Sequence, residues 1–250
     1  MVMQMIKVAY DAGHGLQTPG KRTPDNEREW NFNDIVARAF AKELSLYDGV
    51  TTKRFDDPTG KTDVPLKTRT DGANNWDADY FISFHHNANT GQWGTWTGVE
   101  TFTYSYPKIE SVQLAMALHP AVVKAYGLRD RSIKKADLHI VRETKMPAIL
   151  IEGGFMDSTI DIKKLRDNTV LENAGRSVAQ ALAKYLKLKL KKMEATSMLQ
   201  TSRETMRKEA IKEIKEAVSD SRFTSKHESV ENYSDEELQN FMLVALARRK

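Results

Sequence analysis

Two histidines and two glutamates in this chain stand where a side chain can be presented to a ligand: His14, Glu29, His85 and Glu152. Two imidazoles and one carboxylate form a three-ligand set for zinc, with a fourth position left open. Zinc held this way lowers the pKa of its water to about 7. A second carboxylate nearby can take a proton from that water and hand it to a leaving nitrogen. The chain contains no cysteine. Thiolate chemistry is therefore excluded, and any metal must rest on His, Asp or Glu. His86 directly follows His85. Side chains alternate faces along a strand, so only one of the pair should point at the site.

The elements that must position these residues can be read in order. Ile6, Val8 and Tyr10 mark a short strand that runs into Gly13-His14-Gly15, a turn in which glycine lets a ligand approach closely. From about Glu27 to Leu46, Trp30, Ile35, Val36, Ala39, Phe40 and Leu44 recur at helical spacing. Glu29 falls in the first turn, where the helix dipole favours an acid. A second strand is expected at Val50–Arg54 and a short helix at Leu66–Trp76. Tyr80–Phe84 is an apolar strand that ends in His85-His86-Asn87. Gly98–Tyr104 is a further strand, after a loop carrying Trp93 and Trp96. Those tryptophans suit sugar or peptide contact, or they pin the loop to the body. A helix is expected over about Ile109–Tyr126, a short strand at Leu138–Val141, and a clear strand at Ala148–Glu152 followed by Gly153-Gly154-Phe155. A last helix is expected over about Asn168–Leu190. Three apolar strands thus end in a residue able to do chemistry. Strands alternating with helices predict an α/β domain with a mainly parallel sheet covered on both faces, and parallel strands bring their carboxyl ends to one edge.

Composition narrows the class. Of the 250 residues, 40% are hydrophobic and 29% charged, as in folded globular chains. No apolar run approaches the roughly 18 residues of a membrane span, so no membrane insertion is expected. Residues 1–192 hold 28 Lys and Arg against 23 Asp and Glu, whereas 193–250 hold 10 against 11. A basic first part suits an anionic polymer. With no nucleic-acid module in evidence, an anionic cell wall is the better partner and nucleic acid is not expected.

These pieces, in order, resemble the zinc-dependent N-acetylmuramoyl-L-alanine amidases of the amidase-3 family, found in bacterial autolysins and phage endolysins. The matching stretches are Asp11–Gly15, Glu29, Arg69 with Ala73-Asn74, Ser83–Asn87, Gly98–Thr101, Met146–Ala148 and Glu152–Phe155, within residues 5–190. The resemblance implies a twisted mixed sheet between helices, with Zn2+ held by His14, Glu29 and His85. It implies Glu152 as the catalytic carboxylate, with Glu100 the next candidate. The implied reaction is hydrolysis of the amide between N-acetylmuramic acid and L-alanine of the peptidoglycan stem peptide. Arg69, His86, Asn87 and Glu100 are the expected substrate contacts. One departure is His86, which stands where the family carries a small residue.

Two other readings compete: a metallo-carboxypeptidase-like peptidase with the same ligand types, and a wall-binding module without activity. The order of the motifs favours the amidase over the first, and the presence of all four chemical residues argues against the second. His119 is expected to be structural and His227 solvated, while His139 lies in a short apolar run for which lining the cleft is the lesser reading. Met1–Lys7 lack the charged-then-apolar pattern of a secretory leader. The expected setting is therefore synthesis in the cytoplasm and action on the wall after release. From Met193 onward the composition changes. One amphipathic helix is expected over Ser197–Ser219, with Met206, Ala210, Ile211, Ile214 and Val218 on one side. Ser234-Asp235-Glu236-Glu237 reads as a capping box opening a second, with Leu238, Phe241, Met242, Ala245 and Leu246. The boundary is placed at 192/193, with the tail serving wall targeting or self-association.

Overall fold

β-branched and aromatic residues concentrate in short runs in the first part of the chain, and there they build a six-stranded sheet. The computed structural model describes residues 5–191 continuously and, beyond them, isolated positions between 204 and 238. The chain divides into two compact units, Met1–Lys191 and Lys192–Lys250.

In the first unit the order is β1 (Ile6–Ala12), α1 (Glu29–Leu44), β2 (Val50–Arg54), α2 (Leu66–Asn75), β3 (Tyr80–Asn87) and β4 (Val99–Tyr104). Then come α3 (Ile109–Tyr126), β5 (Asp130–Ala136), α4 (His139–Glu143), β6 (Ala148–Phe155), α5 (Ile162–Leu165) and α6 (Asn168–Tyr185). The strands lie in the order β2-β1-β3-β6-β4-β5. The first four are parallel, β4 runs antiparallel to β6, and β5 is parallel to β4. The sheet is therefore mixed.

Alternation along the strands sorts the core. Val8, Tyr10, Ala12, Ile82, Phe84, Ile149 and Ile151 pack with the apolar faces of α1, α3 and α6. Ala9, Phe81, Ala148 and Leu150 pack on the opposite side with Ala73 of α2 and with Ile140 and Val141 of α4. His86 has the parity of Ile82 and Phe84. It is drawn into the α1 side, whereas His85 has the parity of the other face.

Two expectations are corrected. Leu138–Val141 is not a strand, because His139 opens the five-residue helix α4. The strand of that region is β5, an edge strand whose residues are exposed or half-buried throughout. The last helix ends at Tyr185, not Leu190. Lys187 adopts φ 56°, with its N–H bonded to Lys184 O and the N–H of Leu188 bonded to Ala183 O. That pair of bonds is the Schellman stop that usually uses glycine.

In the second unit, Ala210, Ile214 and Leu238 are buried together, with Ile211 and Tyr233 against them. The N–H of Leu238 donates to Ser234 O at 3.0 Å. The expected positions Met206, Val218, His227, Asp235–Glu237, Phe241, Met242, Ala245 and Leu246 lie outside the described residues. Among the described residues, no helix is long and apolar enough to cross a membrane.

Candidate active site

The carboxyl ends of β1, β3 and β6 meet the first turn of α1. Beyond β1, the N–H of Gly13 donates to Phe84 O at 2.9 Å, which seats the turn on the end of β3. His14 then takes φ 66°, a left-handed conformation rarely adopted by residues other than glycine. A Cβ at Gly13 would lie 2.0 Å from His85 Cε1. The glycine is required because the imidazole occupies that space. Glu29 is the first residue of α1 and is 1% exposed. Its Oε2 lies 3.3 Å from His14 Nε2 and its Oε1 lies 3.1 Å from His85 Nδ1. The three residues each offer a ligand atom, all within 4.8 Å of one another.

Surrounding groups fix Glu29 in place. Asn33, one helical turn on, donates from Nδ2 to Glu29 Oε1 and to Gly13 O, and the backbone N–H of His86 donates to the same Oε1. Burial pushes the Glu29 carboxyl up, but the hydrogen bond to His85 and the charges of both histidines outweigh it, bringing it down to about 2. Burial, opposed by Glu29, lowers His14 to about 4. These directions favour a neutral imidazole at His14 and a carboxylate at Glu29, the states a metal requires of its ligands. At His85, by contrast, burial is outweighed by the hydrogen bond and charge of Glu29, which raise it, so a metal there would displace a proton.

Glu152 stands directly across from His85 in the β3/β6 register, and Glu100 directly across from Glu152 in the β6/β4 register. The three form one row across three strands on the same face. Glu152 Oε2 is shut off from solvent and has no hydrogen-bond partner among the described residues. Burial raises its carboxyl to about 8, with His85 opposing and Glu29 reinforcing. A divalent cation on the neighbouring ligands would pull it down. The orphaned oxygen, the compact donor set and the neutral His14 all fit a zinc ion.

Four residues expected to contact substrate take other positions in part. His86 is 2% exposed. Its Nδ1–H donates to Asn33 Oδ1 at 2.7 Å and its Nε2 accepts from the Tyr126 hydroxyl at 2.9 Å, so the ring braces the site from behind and is withdrawn from substrate. Arg69 is 1% exposed. All its N–H groups are engaged, by Asp11 Oδ2, Ala12 O, His14 O, Asp63 Oδ1 and Val64 O. It clamps the His14 turn, a positioning role in place of substrate contact. Glu100 is also buried, and its oxygens take Arg131, Lys134 and Asn87. Asn87 stays half-buried at the rim.

The loop after Asn87 is clasped by Asp157. The buried Asp157 Oδ2 accepts the backbone N–H groups of Asn89, Thr90 and Gly91, and its Oδ1 accepts the Trp96 indole N–H at 2.7 Å. Trp96 thus pins the loop, while Trp93 remains 40% exposed with Arg166 over its ring. Of the remaining histidines, His119 is structural, bonded to Thr101 and Asp130. His139 meets Thr70 on α2.

Sequence reasoning missed Asn33 and Tyr126. Asn33 had a signal, since i+4 from Glu29 places it on the same helix face. Tyr126 had none, because only the fold brings the end of α3 to His86.

Comparison with known proteins places the chain in a family. A family profile described as N-acetylmuramoyl-L-alanine amidase, amidase-3 type, matches residues 8–184. The chain is 33% identical over 186 residues to the sporulation-specific N-acetylmuramoyl-L-alanine amidase of Bacillus subtilis, covering 74% of this chain and 70% of that one. It is 33% identical over 191 residues to the endolysin of Bacillus phage SPP1, covering 72% and 66%. Among solved structures, the catalytic domain of the CwlV amidase of Paenibacillus polymyxa superposes with TM-score 0.68 at 28% identity, over 74% of this chain and all of that one. An N-acetylmuramoyl-L-alanine amidase of Clostridium difficile 630 gives TM-score 0.68 at 30% identity, over 74% and 98%. The carboxypeptidase-like reading finds no support in these relatives. A profile matched over most of the first unit and a relative one-third identical over 70% of its own length show that the chain belongs to the N-acetylmuramoyl-L-alanine amidases of the amidase-3 family.

Proposed function

We propose that the chain is a zinc-dependent peptidoglycan amidase that hydrolyses the bond between N-acetylmuramic acid and L-alanine of the stem peptide. The observation that carries the reading is the convergence of His14, Glu29 and His85 beside the unpartnered oxygen of Glu152, in a chain of this family. Zinc on the three ligands supplies Lewis-acid chemistry to the amide carbonyl and to the attacking water. Glu152 takes the proton of that water and returns it to the departing alanine nitrogen, as a general base and then acid. Its isolation from other donors leaves it free for that exchange. Arg69, Asn33 and His86 hold the ligand-bearing segments in register. Asn87 and Trp93 flank the cleft as substrate contacts.

The tail after 192 serves wall targeting or self-association and contributes no catalytic residue. The setting that fits is action on the wall after release from the cell that makes it. Digestion of purified peptidoglycan should create free L-alanine amino termini and no new reducing sugar ends. New reducing ends would identify a glycosidase instead, and termini only deeper in the stem peptide an endopeptidase.

A further inference from the structure

The row formed by His85, Glu152 and Glu100 continues into β5, and there the pairing is irregular. Val99 pairs with Asp130 and Thr101 with Ile133, so Arg131 and Ser132 together oppose the single residue Glu100. This is a β-bulge, a device that re-aims a side chain and that recurs next to active sites. Ser132 takes φ 72°, a conformation that costs energy for a residue other than glycine. The bulge is held from outside by Asp130, whose Oδ1 accepts the Ser132 N–H at 2.7 Å and meets His119 Nε2 at 2.8 Å.

The bulge turns Arg131 back over the sheet. Its guanidinium carbon lies 5.0 Å from the ring centroid of Phe155, a residue of β6 just beyond Glu152. Its Nε donates to Glu100 Oε1 at 2.5 Å, and Lys134 Nζ reaches the same oxygen at 2.5 Å. Two cations therefore share one oxygen of one buried carboxylate. The pair retains a net positive charge, with side chains 31% and 39% exposed. Only the Nε of Arg131 is used on Glu100, and the outer edge of a guanidinium is matched to a carboxylate.

We infer that Arg131 and Lys134, held by Glu100, form a carboxylate-binding site for the stem peptide, selecting an acidic residue beyond the L-alanine. Glu100 is then a positioning residue acting through the two cations. The scale agrees. Strands are spaced about 4.8 Å apart, so β5 lies about 10 Å from the strand of Glu152. A peptide gains about 3.5 Å per residue, and Arg131 reaches back over Phe155 of β6, so a carboxylate on the residue after the L-alanine comes within reach of this site.

This inference rests on the amidase reading, and the test separates the two. Calorimetry on the full chain compares L-alanyl-D-glutamate with L-alanyl-D-glutaminamide, the same dipeptide with both of its carboxylates capped as amides. The acid should bind at least tenfold more tightly. Arg131→Gln should erase most of that preference, Arg131→Lys should restore part of it, and Lys134→Gln, at the more exposed position, should weaken it. A purely structural role for Arg131 would weaken both ligands equally. Equal affinity for the two dipeptides in the unaltered protein overturns the inference, as does a preference that survives both Arg131→Gln and Lys134→Gln. Turnover of the corresponding muramoyl dipeptides is read separately. A preference for the acid without any turnover would refute the amidase reading and uphold the carboxylate site.

Discussion

His86 Nδ1 lies 2.7 Å from Asn33 Oδ1, and that bond turns the second histidine of the pair away from the ligand cluster and into the packing of α1. His85 and His86 therefore have separable roles. His85→Ala should lose bound zinc and activity together, because a three-ligand site cannot spare a ligand. His86→Ala should keep its zinc while losing about 2–3 kcal/mol of stability, since Asn33 and Tyr126 are left as buried groups without their partner. Elemental analysis and thermal melts on both variants decide the matter. Zinc retained in His85→Ala and lost in His86→Ala would reverse the assignment.

Glu152→Gln preserves shape and removes the proton acceptor. Zinc content and melting temperature should stay near those of the unaltered protein, and turnover should fall by about 100-fold or more. Near-normal turnover would move the proton-transfer role elsewhere. Glu100 is poorly suited to it, because its oxygens are occupied by Arg131, Lys134 and Asn87.

Glu100 gives the fold an acid dependence. Burial raises its carboxyl, but the hydrogen bonds and charges of Arg131 and Lys134 outweigh this and hold it below its ordinary value of 4.5. A folded value below the unfolded one means the stabilisation is present in full above about pH 4.5. It is lost as the pH falls through the folded value. Glu100→Gln should flatten this part of the stability–pH curve, and chemical denaturation between pH 3 and 6 would show it. An unchanged slope would mean that other carboxylates dominate the acid limb.

A chain ending at Lys191 should fold, bind zinc and cleave soluble muropeptides, because the first unit carries its own core and every proposed catalytic residue. It should lyse whole cells less well or run as a smaller species on sizing. An insoluble or metal-free product would place part of the tail within the catalytic fold.

Much of the sheet was legible because β1, β3 and β6 are short apolar runs that end in His or Glu. Their buried positions leave little alternative. The edge strand β5 was not legible. Asp130-Arg131-Ser132-Ile133-Lys134-Lys135-Ala136 has no apolar face to announce it, being exposed or half-buried throughout and bulged near its start. Leu138–Val141 suggested a strand because two of its residues are β-branched, and a five-residue helix offers no periodicity to say otherwise. The end of α6 was overrun because a lysine stands where glycine usually marks the left-handed stop. In the site, residue types and strand ends picked out His14, Glu29 and His85, which the fold brings together. What sequence alone does not tell is how far a polar side chain is buried. That is why Arg69, His86 and Glu100 looked like substrate contacts until their partners were seen.

The clasp on Asp157 bears on how substrate arrives. Three successive backbone N–H groups and an indole N–H converge on one carboxylate, so the rim between Asn87 and β4 has given up its conformational freedom at folding. A glycan-linked peptide meeting this rim does not have to order it, and that part of the entropy cost of association has already been met. Binding on this side therefore calls for no ordering of the rim. A rigid rim suits a substrate that is itself a fixed, cross-linked mesh and cannot fold around its enzyme.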